Sequence, residues 1–424
     1  MSGPIRAELT WVDGELLRGI EVGVDDLGKI SHVHKSDDAL THPRIALLPG
    51  FVNAHSHAFQ RALRGRGERF DRPDEDFWSW REAMYGLVEE LDRESVKRIA
   101  IQAFREMRRC GMTTVGEFHY LHHDCTDDGG DWAFDQLMLE AASEVGIRLV
   151  LLQAYYVTGG IDQRLGAAQQ RFNGQNLEAY WSNMDRLQGM VDGRMQRLGV
   201  VGHSIRAVPV EQLVLLHQES QSRDMVFHMH VEEQPAEIEA CQQTYGLTPT
   251  GVLLDRLSLD SRFTAVHDTH TDSSDMARYL QTGARVCLCP LTEANLGDGL
   301  ADVPGILAQG GRICLGSDSN ARISMLEEMR LVEYGQRLKL QKRGACRDED
   351  GRIDRVLLDM ATRHGAESLG IKAGSVAVDH EADFVLIDLE SPTLQDCRDE
   401  DLAAAMMLGA SEECIAGTMV AGRA

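Results

Sequence analysis

Short apolar, β-branched runs recur along the chain and alternate with longer stretches in which apolar residues repeat at helical spacing. The runs lie at 44–52, 113–118, 147–154, 198–203, 225–230, 263–267, 285–291 and 312–317, and helix-like segments lie between them at 93–109, 132–145, 210–222, 272–282 and 326–337. A strand covered on both faces shows a nearly continuous apolar run, and a helical stretch between two such strands supplies the crossover of a parallel sheet. Eight runs in this alternation predict an α/β chain closed into a (β/α)8 TIM-type barrel, with an open doubly wound sheet as the alternative. In a barrel, the C-terminal ends of all strands open on one face, and active sites are built there.

The two ends of the chain follow a different pattern. Residues 1–48 carry short strands with turn signals ("VDGELL", "VGVDDLGKISHVH"), and residues 372–424 carry "SVAVDHEADFVLIDLESP" and "CIAGTMVAGRA", which again favour strands over helices. Two β-rich termini flanking a barrel meet most simply as one small β-sandwich domain. The expected organisation is 1–48 and 372–424 for that domain and 49–371 for the barrel.

Composition narrows the partners. The net charge of −24 on 424 residues argues against nucleic acid and anionic membrane surfaces, which call for basic patches. An anionic small-molecule substrate must then be held by specifically placed arginines against the overall field. The nine cysteines include no CxxC pair and fit a reducing compartment; Cys287 and Cys289 alternate in an apolar run and read as core. No leader pattern and no stretch of 18 apolar residues is seen, so a cytoplasmic protein without a membrane span is expected.

Four of the runs end in metal-ligand or carboxylate residues. The first leads into His55-Ser56-His57, the fifth into "HMHVEEQ" (228–234), the sixth into "VHDTH" (266–270) and the eighth into "GSDSN" (316–320). Side chains at i and i+2 of an extended segment point to the same side, so His55 and His57 aim together. Three histidines and a carboxylate converging on one face would hold one ion with an open position, as catalytic rather than structural sites do. His228 and His230 share a strand face, and the residues alone leave open which of them is the ligand.

This ordered set resembles the amidohydrolase superfamily, in its deaminase branch with a single zinc. Within that branch, "HSHAFQRAL", "FWSWREAMY", "GEFHYLHH", "HSIRAV", "LTEANLGDG" and "EYGQRL" resemble the formimidoylglutamate deiminases of histidine degradation, over residues 44 to 340 and more loosely through the terminal β domain. The resemblance implies hydrolysis of N-formimino-L-glutamate to N-formyl-L-glutamate and ammonia, by a homodimer with one Zn2+ per chain. It implies zinc ligation by His55, His57, His230 and Asp318, with His230 preferred because Glu233 follows it by three residues. It further implies that Asp318 takes a proton from water, that His267 hydrogen-bonds that water, and that Glu233 relays a proton to the departing nitrogen. Arg206 and Arg81 are implied as carboxylate binders, joined by Gln60, Tyr120 and His203.

Bland alternatives exist for several of these residues. Glu233 could be a solvated carboxylate at a helix N-terminus, and Arg81 an ordinary helix-surface arginine. His119, His122 and His123 read as loop packing and surface residues rather than a second metal site. Two positions depart from the family pattern: Asn320 stands where a histidine is usual, and Asp268 where a small residue is usual. Both bear on the identity of the substrate. The competing functions are a sibling deaminase for another acyclic amidine, a guanidino acid or an aromatic base, and an inactive barrel serving as a scaffold.

Overall fold

The computed structural model describes residues 3–68, 77–127 and 130–424. Eight strands form one sheet in sequence order: Phe51–Ser56, Met112–His119, Arg148–Tyr155, Gln196–Ser204, Phe227–Val231, Phe263–His267, Arg285–Leu288 and Ile313–Leu315. Each pairs in parallel with its neighbour. The ring joins at the C-terminal ends of the first and eighth strands, where Ser317 N and Asp318 N donate to His55 O at 2.9 and 3.0 Å and His57 N donates to Asp318 O at 2.8 Å. Gly316 permits that approach, since a Cβ there would lie 2.6 Å from the Cβ of His55. The chain is therefore a (β/α)8 barrel, with the HxH pair and Asp318 at its seam.

Helices Arg93–Arg109, Val210–Ser222, Ser273–Gln281 and Met325–Leu340 fall where the periodicity places them, and Asp135–Val145 begins three residues later than expected. Two strand expectations need correction. The apolar run 44–52 is divided at Gly50: His42–Pro49 belongs to a different sheet, and only Phe51–Ser56 enters the barrel. The run 285–291 ends at Leu288, because Pro290 opens the helix Pro290–Leu296 at a position where a missing N–H costs nothing. Cys287 and Cys289 are core, packed with Ala54, Val266 and Cys314.

The second sheet takes strands from both termini in the order Ile415–Met419, Phe384–Asp388, His42–Pro49, Ala7–Val12 and Glu15–Leu17. The hairpin Ile20–Val24 and Ile30–Lys35 covers it, enclosing a small core that includes Ile5, Val22, Leu47 and Phe384. A helix, Leu402–Gly409, interrupts the C-terminal region that sequence pattern assigns to strands. No helix among the described residues is long and apolar enough to cross a membrane.

One buried cation ties this sheet to the barrel. Arg148, at the start of the third barrel strand, donates from Nε to Asp383 Oδ2 and from Nη2 to Glu381 Oε2, both at 2.8 Å. Breaking a buried pair leaves an uncompensated charge, which typically costs about 3–5 kcal/mol. Arg148→Met should lose about that much stability in urea unfolding. A loss below about 1 kcal/mol would show that water takes the place of the guanidinium.

Candidate metal centre and active site

The first and fifth strands and the turn after the eighth bring four ligand atoms together. His55 Nε2 and His57 Nε2 lie 3.3 and 3.2 Å from Asp318 Oδ1, and His230 Nε2 lies 3.2 Å from His55 Nε2. All four donors fall within 4.8 Å of one another, and all four residues are buried. Ligands of a tetrahedral ion at zinc–nitrogen and zinc–oxygen distances sit about 3.3 Å apart, so the spacing suits one such ion.

The protonation of the site fits the same role. His57 Nδ1 lies 2.8 Å from the Phe118 carbonyl, which can only accept, so Nδ1 carries a proton and it is Nε2 that faces the centre. Burial drives the His55 imidazole down to about 3 and the His230 imidazole well below its usual range, keeping both neutral. For Asp318, burial acts upward, but His55 and His57 hold its carboxyl well below the carboxylate range. A cation between these groups would relieve the apposition of the His55 and His230 nitrogens, and the three-nitrogen, one-oxygen set suits a borderline divalent ion. His228 is also buried, but its Nε2 lies 2.9 Å from the Ser368 carbonyl and takes no part in the group.

Two acid–base groups face the centre. Glu233 places Oε1 at 3.8 Å from His267 Nε2 and Oε2 at 3.3 Å from Arg206 Nη2, and it is buried rather than solvated. His267, at the end of the sixth strand, has Nδ1 3.4 Å from Glu293 Oε1 and Nε2 3.9 Å from Asp318 Oδ2. Burial alone would lower its pKa, but Glu233, Glu293 and Asp318 outweigh that and push it up to about 10. The sulfur of Cys289 also comes within 4.8 Å of the His267 and Asp318 ligand atoms.

The backbone is strained around these groups. Glu232, His267, Asp268, Asp318 and Asn320 have φ of 51°, 80°, 49°, 44° and 55°, a left-handed region that non-glycine residues enter at a cost. Asn320 helps hold it: its Nδ2 donates to Ser56 Oγ and His57 O at 3.1 and 3.0 Å, and Ser317 Oγ donates to its Oδ1 at 2.7 Å. At the position where histidine is usual, Asn320 thus latches the first strand's end to the eighth's. Asp268 is buried, with Thr271 Oγ1 donating to it at 2.9 Å. Neither Asn320 nor Asp268 lines the cavity in front of the centre.

Gln60, Arg81, Tyr120, His203 and Arg206 all line that cavity beside His57, His230, Glu233 and Asp318. Gln60 Nε2 donates to Tyr120 Oη at 2.6 Å. Arg81 is half-buried, its guanidinium carbon 5.4 Å from the ring centroids of Trp78 and Tyr85, which is no ordinary surface placement. Arg206 has a side-chain exposure of 12% and pairs with Glu233 and Glu237.

Sequence pattern does not single out Tyr85, Tyr156, Glu237 or Glu293; the only signal for the last is its place in "LTEANLGDG". Nor does it find Glu117, whose Oε1 accepts from Ala58 N at 2.6 Å just past His57 and whose carboxyl burial pushes up to about 7.

His119, His122 and His123 are not surface residues. All three are buried, and two of them converge on Asp135, with His119 Nε2 and His122 Nδ1 at 3.1 and 3.0 Å from its Oδ1. Gln153 Nε2 and Asn183 Nδ2 donate to the other oxygen at 2.6 and 2.7 Å. The three ligand atoms also lie within 4.8 Å of one another, but both carboxylate oxygens are already supplied with donors. This network brackets Tyr120 in sequence and fixes the loop that carries it.

Comparison with known proteins identifies the family. The model of the amidohydrolase family, whose members are metal-dependent, matches residues 46–424. The formimidoylglutamate deiminase of Pseudomonas aeruginosa is 40% identical over 385 residues, covering 89% of this chain and 84% of the relative. The crystal structure of an amidohydrolase from Brucella melitensis aligns with a TM-score of 0.91 at 30% identity, over 99% of this chain and 94% of that one. An adenosine deaminase from Xanthomonas campestris, solved with bound zinc, shares the fold with a TM-score of 0.82 at 22% identity, over 99% and 92% of the two chains.

Proposed function

The chain belongs to the amidohydrolase family, and from that premise we propose that it hydrolyses N-formimino-L-glutamate to N-formyl-L-glutamate and ammonia, with one zinc ion held by His55, His57, His230 and Asp318. The observation that carries this reading is the charge layout of the cavity. Carboxylates, Glu233 and Asp318, stand at the metal end, while Arg206 and Arg81 line the same cavity. The substrate is its complement: a cationic formimino group at one end and two carboxylates at the other. An aromatic base offers nothing for a buried, permanently charged fork to bind.

Zinc in such a site supplies the Lewis acidity that makes water a nucleophile at neutral pH. The chain's own residues then handle the protons. Asp318 accepts a proton from the attacking water through Oδ2, the oxygen facing His267. His267 donates from Nε2 to that water and steadies the oxygen as its bond to the formimino carbon forms. Glu233 takes the remaining hydroxyl proton of the hydrated carbon and relays it to the terminal nitrogen, so that the carbon–nitrogen bond breaks with ammonia as leaving group and the proton held by Asp318 departs with it as ammonium. The second nitrogen stays with the glutamate, and a formyl group remains.

Arg206→Met tests the assignment. Truncating one partner of a buried charge pair costs about 2–5 kcal/mol, so kcat/KM for N-formimino-L-glutamate should fall roughly 10²–10³-fold at about 1.4 kcal/mol per decade. Zinc content should not change. Ammonia-release kinetics with metal analysis checks both. An intact kcat/KM would remove the substrate assignment and favour a deaminase for a substrate without carboxylates.

A further inference from the structure

Glu237 lies on the helix Pro235–Tyr245, four residues beyond Glu233, with no side-chain exposure. Among the described residues, neither of its carboxylate oxygens has a hydrogen-bond donor in good geometry. Its charge contact is with Arg206, whose Nε lies 3.3 Å from Glu237 Oε1 while Nη2 of the same guanidinium lies 3.3 Å from Glu233 Oε2. A carboxylate taken from water without donors is costly unless an opposite charge faces it, so this glutamate and this arginine hold each other in place.

We propose that Glu237 is the positioning residue for Arg206, and that it sets the ease with which a substrate carboxylate replaces Glu233 on the guanidinium. The inference rests on the reading of the cavity as a formiminoglutamate site. Two carboxylates four residues apart share one cation in the free enzyme. A substrate carboxylate arriving at the Nη edge must take the place of Glu233, the group needed at the reacting nitrogen. With Glu237 held at Nε, the guanidinium stays oriented and partly neutralised, and Glu233 leaves it at low cost. Without that charge, Glu233 becomes the counter-ion of a loosened arginine, and substrate competes against an undivided ion pair.

The experiment compares zinc-loaded, full-length wild type, Glu237→Gln, Arg206→Met and the double variant, by ammonia release from N-formimino-L-glutamate. Glu237→Gln should raise KM roughly tenfold or more, the measure of one lost charge-assisted contact, with a much smaller change in kcat and no change in zinc content. In the Arg206→Met background the same substitution should have no further effect, because Glu237 acts through Arg206. That double variant removes both buried charges and serves even where Glu237→Gln alone does not fold. An unchanged KM, equal losses in kcat and KM, or an independent loss in the Arg206→Met background overturns the role given to Glu237. A wild-type enzyme that releases no ammonia overturns instead the reading of the cavity beneath it.

Discussion

His230→Ala should lose both zinc and activity, while His228→Ala should keep both near wild type. The two histidines are two residues apart on one strand, yet their surroundings differ. His230 Nε2 faces His55 Nε2 at 3.2 Å in the four-residue donor group, whereas His228 Nε2 is occupied by the Ser368 carbonyl at 2.9 Å. Loss of a group that merely orients a ligand costs about 10–100-fold in metal affinity or activity, and loss of the ligand itself should exceed that. His228→Ala removes a hydrogen bond at a buried site and should cost about 1–3 kcal/mol of stability without touching the metal. Elemental analysis and ammonia release on the two purified variants decide it. The reverse order would mean that the other histidine is the ligand.

Glu233→Gln should retain zinc and most substrate affinity but lose kcat by about 10²–10⁴-fold, the usual worth of a positioned acid–base group. The amide keeps the shape of the side chain, and its oxygen can still accept from Arg206 Nη2, 3.3 Å from the present carboxylate. It cannot carry a proton to the leaving nitrogen. Steady-state kinetics should therefore show the loss in kcat rather than in KM. A variant turning over near the wild-type rate would remove the proton-delivery role from Glu233 and leave it to His267 or a water.

Much of this site is legible in the sequence because a barrel converts order along the chain into position on one face. His55, His57 and Asp318 follow apolar runs and His230 and His267 end them, and a closed parallel sheet brings the ends of such runs together. Hydropathy is blind to what does not change the apolar count. The run 44–52 continues unbroken through Gly50, although the chain leaves one sheet and enters another there. Pairs made across the fold are equally hidden: Arg148 meets Asp383 at a sequence separation of 235, and Asn320 meets Ser56 at 264. Histidines at a strand end and in the loop after it look solvated until a partner such as Asp135, at the start of the next helix, is placed beside them. Glu237 is a local case, since it follows Glu233 by four residues, but its meaning depends on Arg206 from a different strand end.

The most direct test of the central claim is ammonia release by the zinc-loaded wild-type protein, measured on N-formimino-L-glutamate, N-guanidino-L-glutarate and a panel of purine nucleosides. A site built around charged groups rejects a ligand that leaves them unpaired by roughly 10⁴-fold or more. The account predicts efficient release from N-formimino-L-glutamate and a kcat/KM lower by about that factor for every nucleoside. Preferential deamination of a nucleoside, or of the guanidino acid, with little or no release from N-formimino-L-glutamate, would contradict it.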